Sequence, residues 1–161
     1  MLRNVLEGRG FVKLSTLSKN CIQLKTDLKA LTDVLIWFDQ LYNLVIPREV
    51  WLRCQLALAE AFTNAVRHAH KNKPAELPID IEVTIKQCCI EMRIWDFGSP
   101  FDLKEKLKIM PINHENDSGG GRGLRLLEAI ADHLSYTRTA ENRNCLLMVK
   151  YYGNEDNGSS Q

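Results

Sequence analysis

The sequence predicts an α+β fold built as a two-layer sandwich, with helices on one face of a mixed, mostly antiparallel sheet. Two long helical segments come first in the chain, and pairs of alternating apolar and polar segments typical of hairpin strands follow them. Helices and strands do not alternate regularly, which excludes a doubly wound α/β fold. The length of 161 residues fits one domain with a sizeable core.

The first half of the chain predicts one short strand and two helices after an uncertain N-terminal lead. The lead is residues 1–20, in which residues 11–17 fit either a strand or a flexible segment, and residues 21–25 predict the strand. Residues 28–44 carry apolar side chains at helical spacing. Pro47 suits the first position of a longer helix that runs to about Lys71. The apolar stripe of that helix consists of Trp51, Cys54, Leu58, Phe62, Ala65 and Ala69.

The second half predicts two hairpins separated by a loop-rich segment and an amphipathic helix. Residues 79–86 and 90–95 alternate between apolar and polar side chains, as strands with one buried face do. The loop-rich segment contains a short helix that begins after Asp102 as its N-cap. The amphipathic helix follows, and then the strands of the second hairpin, at 134–139 and 145–152. Residues 21–152 therefore form the predicted domain, and residues 153–161 are a tail predicted to be disordered.

Composition and charge exclude several classes of function. The net charge is +1 and no basic block is interleaved with aromatic residues, so no nucleic-acid partner is expected. The most apolar run, residues 31–46, is interrupted by polar residues, and the N-terminus lacks an apolar signal core. We therefore expect no membrane association and a cytoplasmic location. The five cysteines show no metal-ligand spacing and are expected to be reduced, partly buried thiols.

Four polar residues lie at helical spacing on the longer helix, namely Glu60, Asn64, Arg67 and His68. Three of them recur every four residues and Arg67 follows Glu60 by seven, so one helix face holds all four. The side-chain oxygen of Asn64 is a hard ligand that suits Mg²⁺, and Glu60, one turn away, is placed to accept a proton. The spacing by itself favours an ordinary solvated helix face.

The segment Asp-Phe-Gly-Ser-Pro-Phe-Asp, residues 96–102, follows a predicted strand. A carboxylate such as that of Asp96 accepts a hydrogen bond from an exocyclic amine such as that of adenine. Gly98 lets the chain turn sharply and lets a flat ring lie close to the backbone. An Asp-x-Gly turn after a strand is also common for purely structural reasons. Protein kinases of the eukaryotic type share the Asp-Phe-Gly string, but this chain is too short for their fold and lacks their upstream glycine-rich strand and loop.

A glycine-rich run opens the amphipathic helix and consists of Gly119, Gly120, Gly121, Arg122, Gly123 and Leu124. Glycines before a helix let backbone N–H groups converge on phosphate oxygens, and the helix N-terminus adds partial positive charge. Arg122 would add a charged contact. A flexible hinge would show the same glycines. The run has neither the preceding strand of a Rossmann fingerprint nor the Gly-Lys-Ser/Thr of a Walker A loop.

The three motifs together, in their order and spacing, resemble the N, G1 and G2 boxes of GHKL ATPases. The resemblance covers residues 22–152 and is greatest to the RsbW/SpoIIAB group of anti-sigma-factor serine kinases. LALAEAFTNAVRHAHKN, residues 56–72, is similar to the N box of that group, and DFGSPFD is similar to its G1 box. Members often carry a Gly-Thr pair entering the last strand, where this chain has Asn144-Cys145. The resemblance implies the Bergerat fold, which is the fold of histidine-kinase-like ATPases.

The resemblance also implies a site for ATP and Mg²⁺. It makes Glu60 the general base and Asn64 the Mg²⁺ ligand, and it assigns adenine binding to Asp96 and Gly98. Residues 121–123 would close a lid over the phosphates. The remaining residues expected to border ATP are Arg67, His68, Pro100, Phe101, Gly119, Gly120 and Leu124.

The activity implied by the resemblance is that of a cytoplasmic, homodimeric serine/threonine kinase with two protein partners. It would phosphorylate a STAS-domain anti-anti-sigma protein and sequester a sigma factor. The alternative is a non-catalytic, ATP-binding switch that holds a protein partner, although a pure binder does not need a carboxylate at Glu60. The catalytic fragment of a histidine kinase ranks third. It would need a phospho-accepting His in an upstream dimerisation helix, and every His of this chain follows the first predicted helix.

Overall fold

The computed structural model describes residues 15–110 and 121–153. The predicted disordered tail therefore lies almost entirely outside the described residues, as do residues 1–14 of the predicted lead. The helices and strands of the described part are β1 (Thr16–Lys25), α1 (Leu31–Gln40), α2 (Arg48–Asn64), β2 (Pro78–Lys86), β3 (Cys89–Asp96), α3 (Leu103–Ile109), α4 (Gly121–Ile130), β4 (His133–Arg138) and β5 (Asn144–Tyr151). A 3₁₀ turn (Leu28–Ala30) precedes α1, and a π turn (Ala65–Ala69) continues α2.

The five strands form one sheet in the order β1-β2-β3-β5-β4. The four pairings between neighbouring described strands are all antiparallel. Alternate side chains of β2 and β3 are buried, among them Ile81 and Ile94, which lie opposite each other. This alternation gives the sheet one apolar face, which packs against the helices. The predicted α+β class is confirmed.

The helical layer is centred on α2, which packs against both α1 and α4. The predicted stripe of α2 faces the core, with Trp51, Leu58 and Phe62 fully buried. The Phe38 ring of α1 stacks on the Trp51 indole, with 4.1 Å between the ring centroids and 14° between their planes. Such aromatic pairs add to the free energy gained by apolar burial and fix how the two helices meet. The core thus holds α2 firmly beneath the sheet and positions the residues at its C-terminal end.

Three elements differ from the prediction. The helix predicted over residues 28–44 begins with a 3₁₀ turn and ends at Gln40. β1 begins at Thr16 rather than at residue 21, because its first residues pair with β2 through backbone hydrogen bonds that side-chain pattern does not reveal. The longer helix changes to a π turn after Asn64, in which the N–H of His70 donates to the carbonyl of Ala65 at 2.8 Å.

No helix in the described ranges is long and apolar enough to cross a membrane.

Candidate functional site

The C-terminal end of α2 and the first turn of α4 lie in direct contact. A Cβ atom added to Gly123 would lie 2.9 Å from Nδ2 of Asn64 and 3.0 Å from Oε2 of Glu60. Glycine at this position therefore lets the backbone of α4 approach both side chains closely. The structure brings together the acid and the amide of the first predicted motif with the glycine-rich run of the third.

The Glu60 and Asn64 side chains are partly buried and have polar atoms available for a ligand. Nδ2 of Asn64 is buried and has no hydrogen-bond partner among the described residues. A buried polar group without a partner costs about 1–3 kcal/mol, so its presence points to a ligand that completes it. The Asn64 amide offers a donor for a phosphate oxygen and an acceptor oxygen for Mg²⁺.

A magnesium ion bound here would take few of its ligands from the protein. Within residues 15–110 and 121–153, no three His, Cys, Asp or Glu side chains converge as a metal cage. Mg²⁺ characteristically keeps several waters and is held by one or two protein oxygens together with substrate phosphates. The oxygen of Asn64 beside a nucleotide triphosphate matches that kind of site.

Arg67 and His68 lie in the π turn and are exposed. No hydrogen bond or ion pair of the described residues joins either of them to Glu60 or Asn64. The pKa of His68 is lowered by partial burial and by the charges of Lys106, Arg67 and Lys71. Of the four polar residues predicted on one helix face, Glu60 and Asn64 supply the three atoms nearest to a Cβ added at Gly123.

Asp96, at the end of β3, is the most strongly hydrogen-bonded carboxylate of the site, and only 4% of its surface is exposed. Its Oδ1 accepts hydrogen bonds from the backbone N–H of Gly98 and from Nδ2 of Asn144, both at 2.8 Å. The Tyr136 hydroxyl lies 3.1 Å from Oδ1 and 3.0 Å from Oδ2. Burial, together with the adjacent Asp96 charge, raises the pKa of Tyr136, so its hydroxyl keeps its proton and acts as the donor.

Strand register explains why these side chains meet. Asp96 of β3 lies opposite Asn144 of β5, which in turn lies opposite Arg138 of β4. The guanidinium of Arg138 donates to the Gly98 carbonyl at 2.9 Å and to Oδ1 of Asn144 at 3.1 Å. Asn144 is fully buried and also donates from Nδ2 to the Gly98 carbonyl at 2.9 Å. This row across three strands fixes the loop that carries Gly98.

The same loop is fixed to α2 through a buried histidine. The N–H of Phe97 donates to Nε2 of His70 at 2.8 Å, and Nδ1 of His70 lies 2.7 Å from the hydroxyl of Thr26. Because Nε2 accepts, the neutral ring carries its proton on Nδ1 and donates it to Thr26, whose hydroxyl donates to the carbonyl of Leu77. Burial lowers the pKa of His70, and this effect outweighs the raising effect of Asp96.

A cleft of about 650 Å³ opens beside Asn144 and is lined by β4 and by the segment after Gly98, including Pro100 and Phe101. The Phe101 ring stacks on Tyr136 with 4.4 Å between centroids and 24° between planes. The ammonium of Lys106, on α3, lies 4.5 Å from the Phe101 centroid. The predicted site residues Pro100 and Phe101 thus form one wall of a cleft that adjoins the Asp96 network.

The remaining members of the glycine-rich run are placed only in part. Gly119 and Gly120 lie outside the described residues. Gly121 opens α4, Arg122 is exposed, and Leu124 is buried in the core.

The sequence interpretation missed three residues of this site, namely His70, Tyr136 and Arg138. One signal was present, because alternation in β4 places Tyr136 on the apolar face, where a tyrosine hydroxyl needs a partner. His70 gave no signal, since the π turn that buries it has no mark in the pattern of apolar residues.

The chain is similar in sequence to known protein kinases. RsbW of Staphylococcus aureus, a serine-protein kinase, is 34% identical to this chain over 106 residues, covering 63% of this chain and 65% of the relative. RsbW of Listeria monocytogenes is 36% identical over 83 residues, covering 48% of this chain and 52% of the relative. The chain therefore spans less than two thirds of the length of these relatives. The predicted resemblance to this group is confirmed as a similarity of sequence.

The model of the histidine kinase-like ATPase domain matches residues 24–150, which is most of the chain. The matched region contains α2, the end of β3 and α4, the three elements on which the site is built. The chain belongs to the family of histidine kinase-like ATPase domains.

Proposed function

We propose that this chain is an ATP-dependent serine/threonine protein kinase that also acts as an anti-sigma factor. The observation that carries the proposal is the close approach of Gly123 to Glu60 and Asn64, which brings an acid and an amide to the start of a glycine-opened helix. The sequence similarity to proteins named serine-protein kinase RsbW supports kinase activity over other uses of the same domain.

In this proposal the end of α2 performs the chemistry. Asn64 holds Mg²⁺, which when bound neutralises charge on the phosphates of ATP. Glu60 accepts the proton of the attacking Ser or Thr hydroxyl, whose oxygen bonds to the terminal phosphorus as the bond to the bridging oxygen breaks and ADP leaves. The backbone N–H groups at the start of α4, around Gly123, bind phosphate oxygens. Such transfer depends on positioning and charge neutralisation more than on covalent catalysis by the protein.

The Asp96 network supplies base recognition. The Asp96 carboxylate would accept a hydrogen bond from the adenine amine, and Gly98 leaves room for the ring beside the backbone. Pro100 and Phe101 line the adjoining cleft. Asn144 fixes the loop so that the carboxylate keeps its orientation.

The partners of the proposed kinase are those implied by the resemblance to the RsbW/SpoIIAB group. A STAS-domain anti-anti-sigma protein would be phosphorylated on Ser or Thr, and a sigma factor would be sequestered. The kinase would act in the cytoplasm as a homodimer, which size-exclusion chromatography with light scattering would detect.

The test combines calorimetry with a phosphorylation assay. We expect ATP to bind in the micromolar range with Mg²⁺ and weakly without it, and labelled phosphate to pass from ATP to a STAS-domain protein. Glu60→Ala should keep ATP affinity and reduce transfer by about 10²–10⁴-fold, since it removes the general base. Glu49→Ala is the matched control, because Glu49 lies on the same helix, is exposed and pairs only with Arg53 among the described residues.

The possible outcomes separate the proposed kinase from its alternative. Binding of ATP without transfer, in the native chain and in Glu60→Ala alike, would identify a non-catalytic switch that holds a protein partner. Absence of ATP binding with and without Mg²⁺ would reject both functions. Equal loss of transfer in Glu60→Ala and Glu49→Ala would remove Glu60 from the role of base.

A further inference from the structure

The Asp96 carboxylate is almost completely enclosed by its three hydrogen-bond donors and by burial. Oδ1 accepts from Gly98, Asn144 and Tyr136, at 2.8, 2.8 and 3.1 Å. The same Tyr136 hydroxyl lies 3.0 Å from Oδ2, so the two oxygens share its one proton, and no other described residue donates to Oδ2. Since only 4% of Asp96 is exposed, a ligand donor has no free approach to this carboxylate. An incoming amine must take the position at Oδ2 that the Tyr136 hydroxyl holds.

Tyr136 has the chemical features by which adenine is recognised. Its ring is flat and stacks on Phe101, with 4.4 Å between centroids and 24° between planes. Its hydroxyl is a hydrogen-bond donor at the ring edge and contacts both oxygens of Asp96. Adenine likewise presents a flat aromatic face for stacking and an exocyclic amine at its edge.

We propose that Tyr136 occupies the adenine position in the nucleotide-free chain, and that it must turn away before ATP binds. Tyr136 thereby determines how tightly the site binds ATP and how strongly that affinity depends on the adenine amine. This inference rests on the proposed ATP site and adds to it a residue of this chain that competes with the nucleotide.

The position of Tyr136 allows such a movement. The residue lies on β4, which is the edge strand of the sheet, and it is only partly buried. Its ring borders the cleft of about 650 Å³, which offers space for the displaced side chain. The partners of Asp96 that remain, Gly98 and Asn144, would still hold the carboxylate while the amine replaces the hydroxyl.

A contrasting role for Tyr136 predicts the opposite effect on affinity. If the hydroxyl only orients Asp96 for the adenine amine, its removal weakens ATP binding. If it competes with the amine, its removal strengthens binding. Tyr136→Phe distinguishes the two, because it keeps the ring and the stack on Phe101 and removes only the donor.

The experiment is calorimetric titration of native protein and Tyr136→Phe with Mg–ATP and with purine riboside triphosphate, which lacks the exocyclic amine. We expect Tyr136→Phe to bind ATP about tenfold more tightly, as the loss of one hydrogen bond to a charged group allows. The amine-free nucleotide should gain much less. Tyr42→Phe is the matched control, since it removes a hydroxyl that donates to the carbonyl of Ile46 away from the site, and it should change neither affinity.

A measurement on native protein makes the test independent of how the variant folds. With fluorine-labelled tyrosine, the NMR signal of Tyr136 should shift when Mg–ATP is added, whereas that of Tyr42 should stay in place. An unchanged Tyr136 signal at saturating ATP would overturn the inference, as would weaker or equal ATP binding by Tyr136→Phe, or an equal gain for both nucleotides. In each of these cases the native protein still binds ATP, so the proposed function stands. Absence of ATP binding by native protein and Tyr136→Phe alike would reject the proposed function and this inference together.

Discussion

At the scale of single residues, the space around position 98 allows only glycine. A Cβ atom at this position would lie 2.8 Å from both Cα and Cβ of Ala69, and 3.0 Å from the Ala69 carbonyl oxygen. These are mainly backbone atoms of the π turn, which cannot rotate away as the end of a flexible side chain can. The loop after β3 and the end of α2 therefore approach each other as closely as they do only because residue 98 is glycine.

Gly98→Ala is accordingly expected to destabilise the protein by about 1–3 kcal/mol, the usual range when extra volume forces a backbone shift. Urea denaturation of the variant and of native protein measures the free energy of unfolding. Ala140→Ser, in the exposed turn between β4 and β5, controls for a small substitution in a loop. A change of less than about 0.5 kcal/mol in Gly98→Ala would show that the close approach is not required.

His70 makes stability depend on pH. Its pKa in the folded chain is lowered from the ordinary value of 6.5 by burial and by Lys73, against the raising effect of Asp96. As pH falls below about 6.5, the unfolded chain therefore binds a proton that the folded chain resists. The stabilisation is complete above pH 6.5 and is lost as the pH falls through the lowered pKa. Protonation would also place an N–H at Nε2 against the N–H of Phe97.

Urea denaturation between pH 7.5 and 5 tests this dependence. We expect the free energy of unfolding of native protein to decrease over this interval, and to decrease less in His70→Gln, whose amide oxygen can accept from Phe97 without titrating. His133→Gln, at the exposed start of β4, should keep the native slope. Equal slopes in native protein and His70→Gln would show that His70 is not the group responsible.

At the scale of elements, α2 and α4 form the two halves of the proposed catalytic site and meet at Gly123. Gly123 lies within α4, where alanine has the higher helix propensity by about 1 kcal/mol. The atoms nearest to an added Cβ are the ends of the Asn64 and Glu60 side chains, which can move aside. Substitution here therefore displaces polar groups of the site without forcing the two helices apart.

Gly123→Ala should for this reason separate stability from binding. We expect a free energy of unfolding equal to or above that of native protein, and a Mg–ATP affinity lowered at least about tenfold through the displaced Asn64 amide. Denaturation and calorimetry on the same sample measure both quantities. Ala129→Gly and Ala129→Ser, on the exposed face of α4, show the effect of helix propensity alone. Unchanged ATP affinity in Gly123→Ala would place the nucleotide elsewhere.

The elements that sequence predicts well are those whose pattern is local. The apolar stripe of α2 through Trp51 and Phe62 repeats within a few residues and was predicted correctly. The alternation of β2 and β3 is equally local, and these strands were predicted close to their observed bounds. The contact between Tyr136 and Asp96 joins residues 40 positions apart through the register of three strands. Register depends on how all the strands pair at once, so no local pattern reveals it. The same reason explains why β1 begins earlier than predicted.

At the scale of the whole molecule, the site lies where a continuous core ends. α2 buries one of its faces and β3 is buried at most of its positions, and the proposed site residues Asn64 and Asp96 lie at their C-terminal ends. The core thus places polar groups at its edge. A ligand that contacts α2, β3 and α4 together binds only the folded chain. Binding energy then adds directly to the stability of the fold.

Mg–ATP should therefore stabilise the entire domain against unfolding. At a free concentration about a hundredfold above the dissociation constant, the expected gain is about 2.7 kcal/mol, visible as a rise in melting temperature. Chelation of Mg²⁺ should remove most of this gain. Asn64→Ala should remove it as well, although the variant should keep its fold, because Nδ2 of Asn64 has no hydrogen-bond partner among the described residues to lose.

The stability of Asn64→Ala without nucleotide tests whether Asn64 is retained for binding or for the stability of the fold. An unpartnered buried amide destabilises the free chain, so its removal should leave the melting temperature unchanged or raise it. Asn20→Ala, on the edge strand β1, controls for loss of an amide at a partly buried position. A higher melting temperature without ATP and no response to Mg–ATP would show that Asn64 is retained for binding at the expense of stability. A large loss of stability without nucleotide would instead make Asn64 a structural residue of the α2–α4 contact.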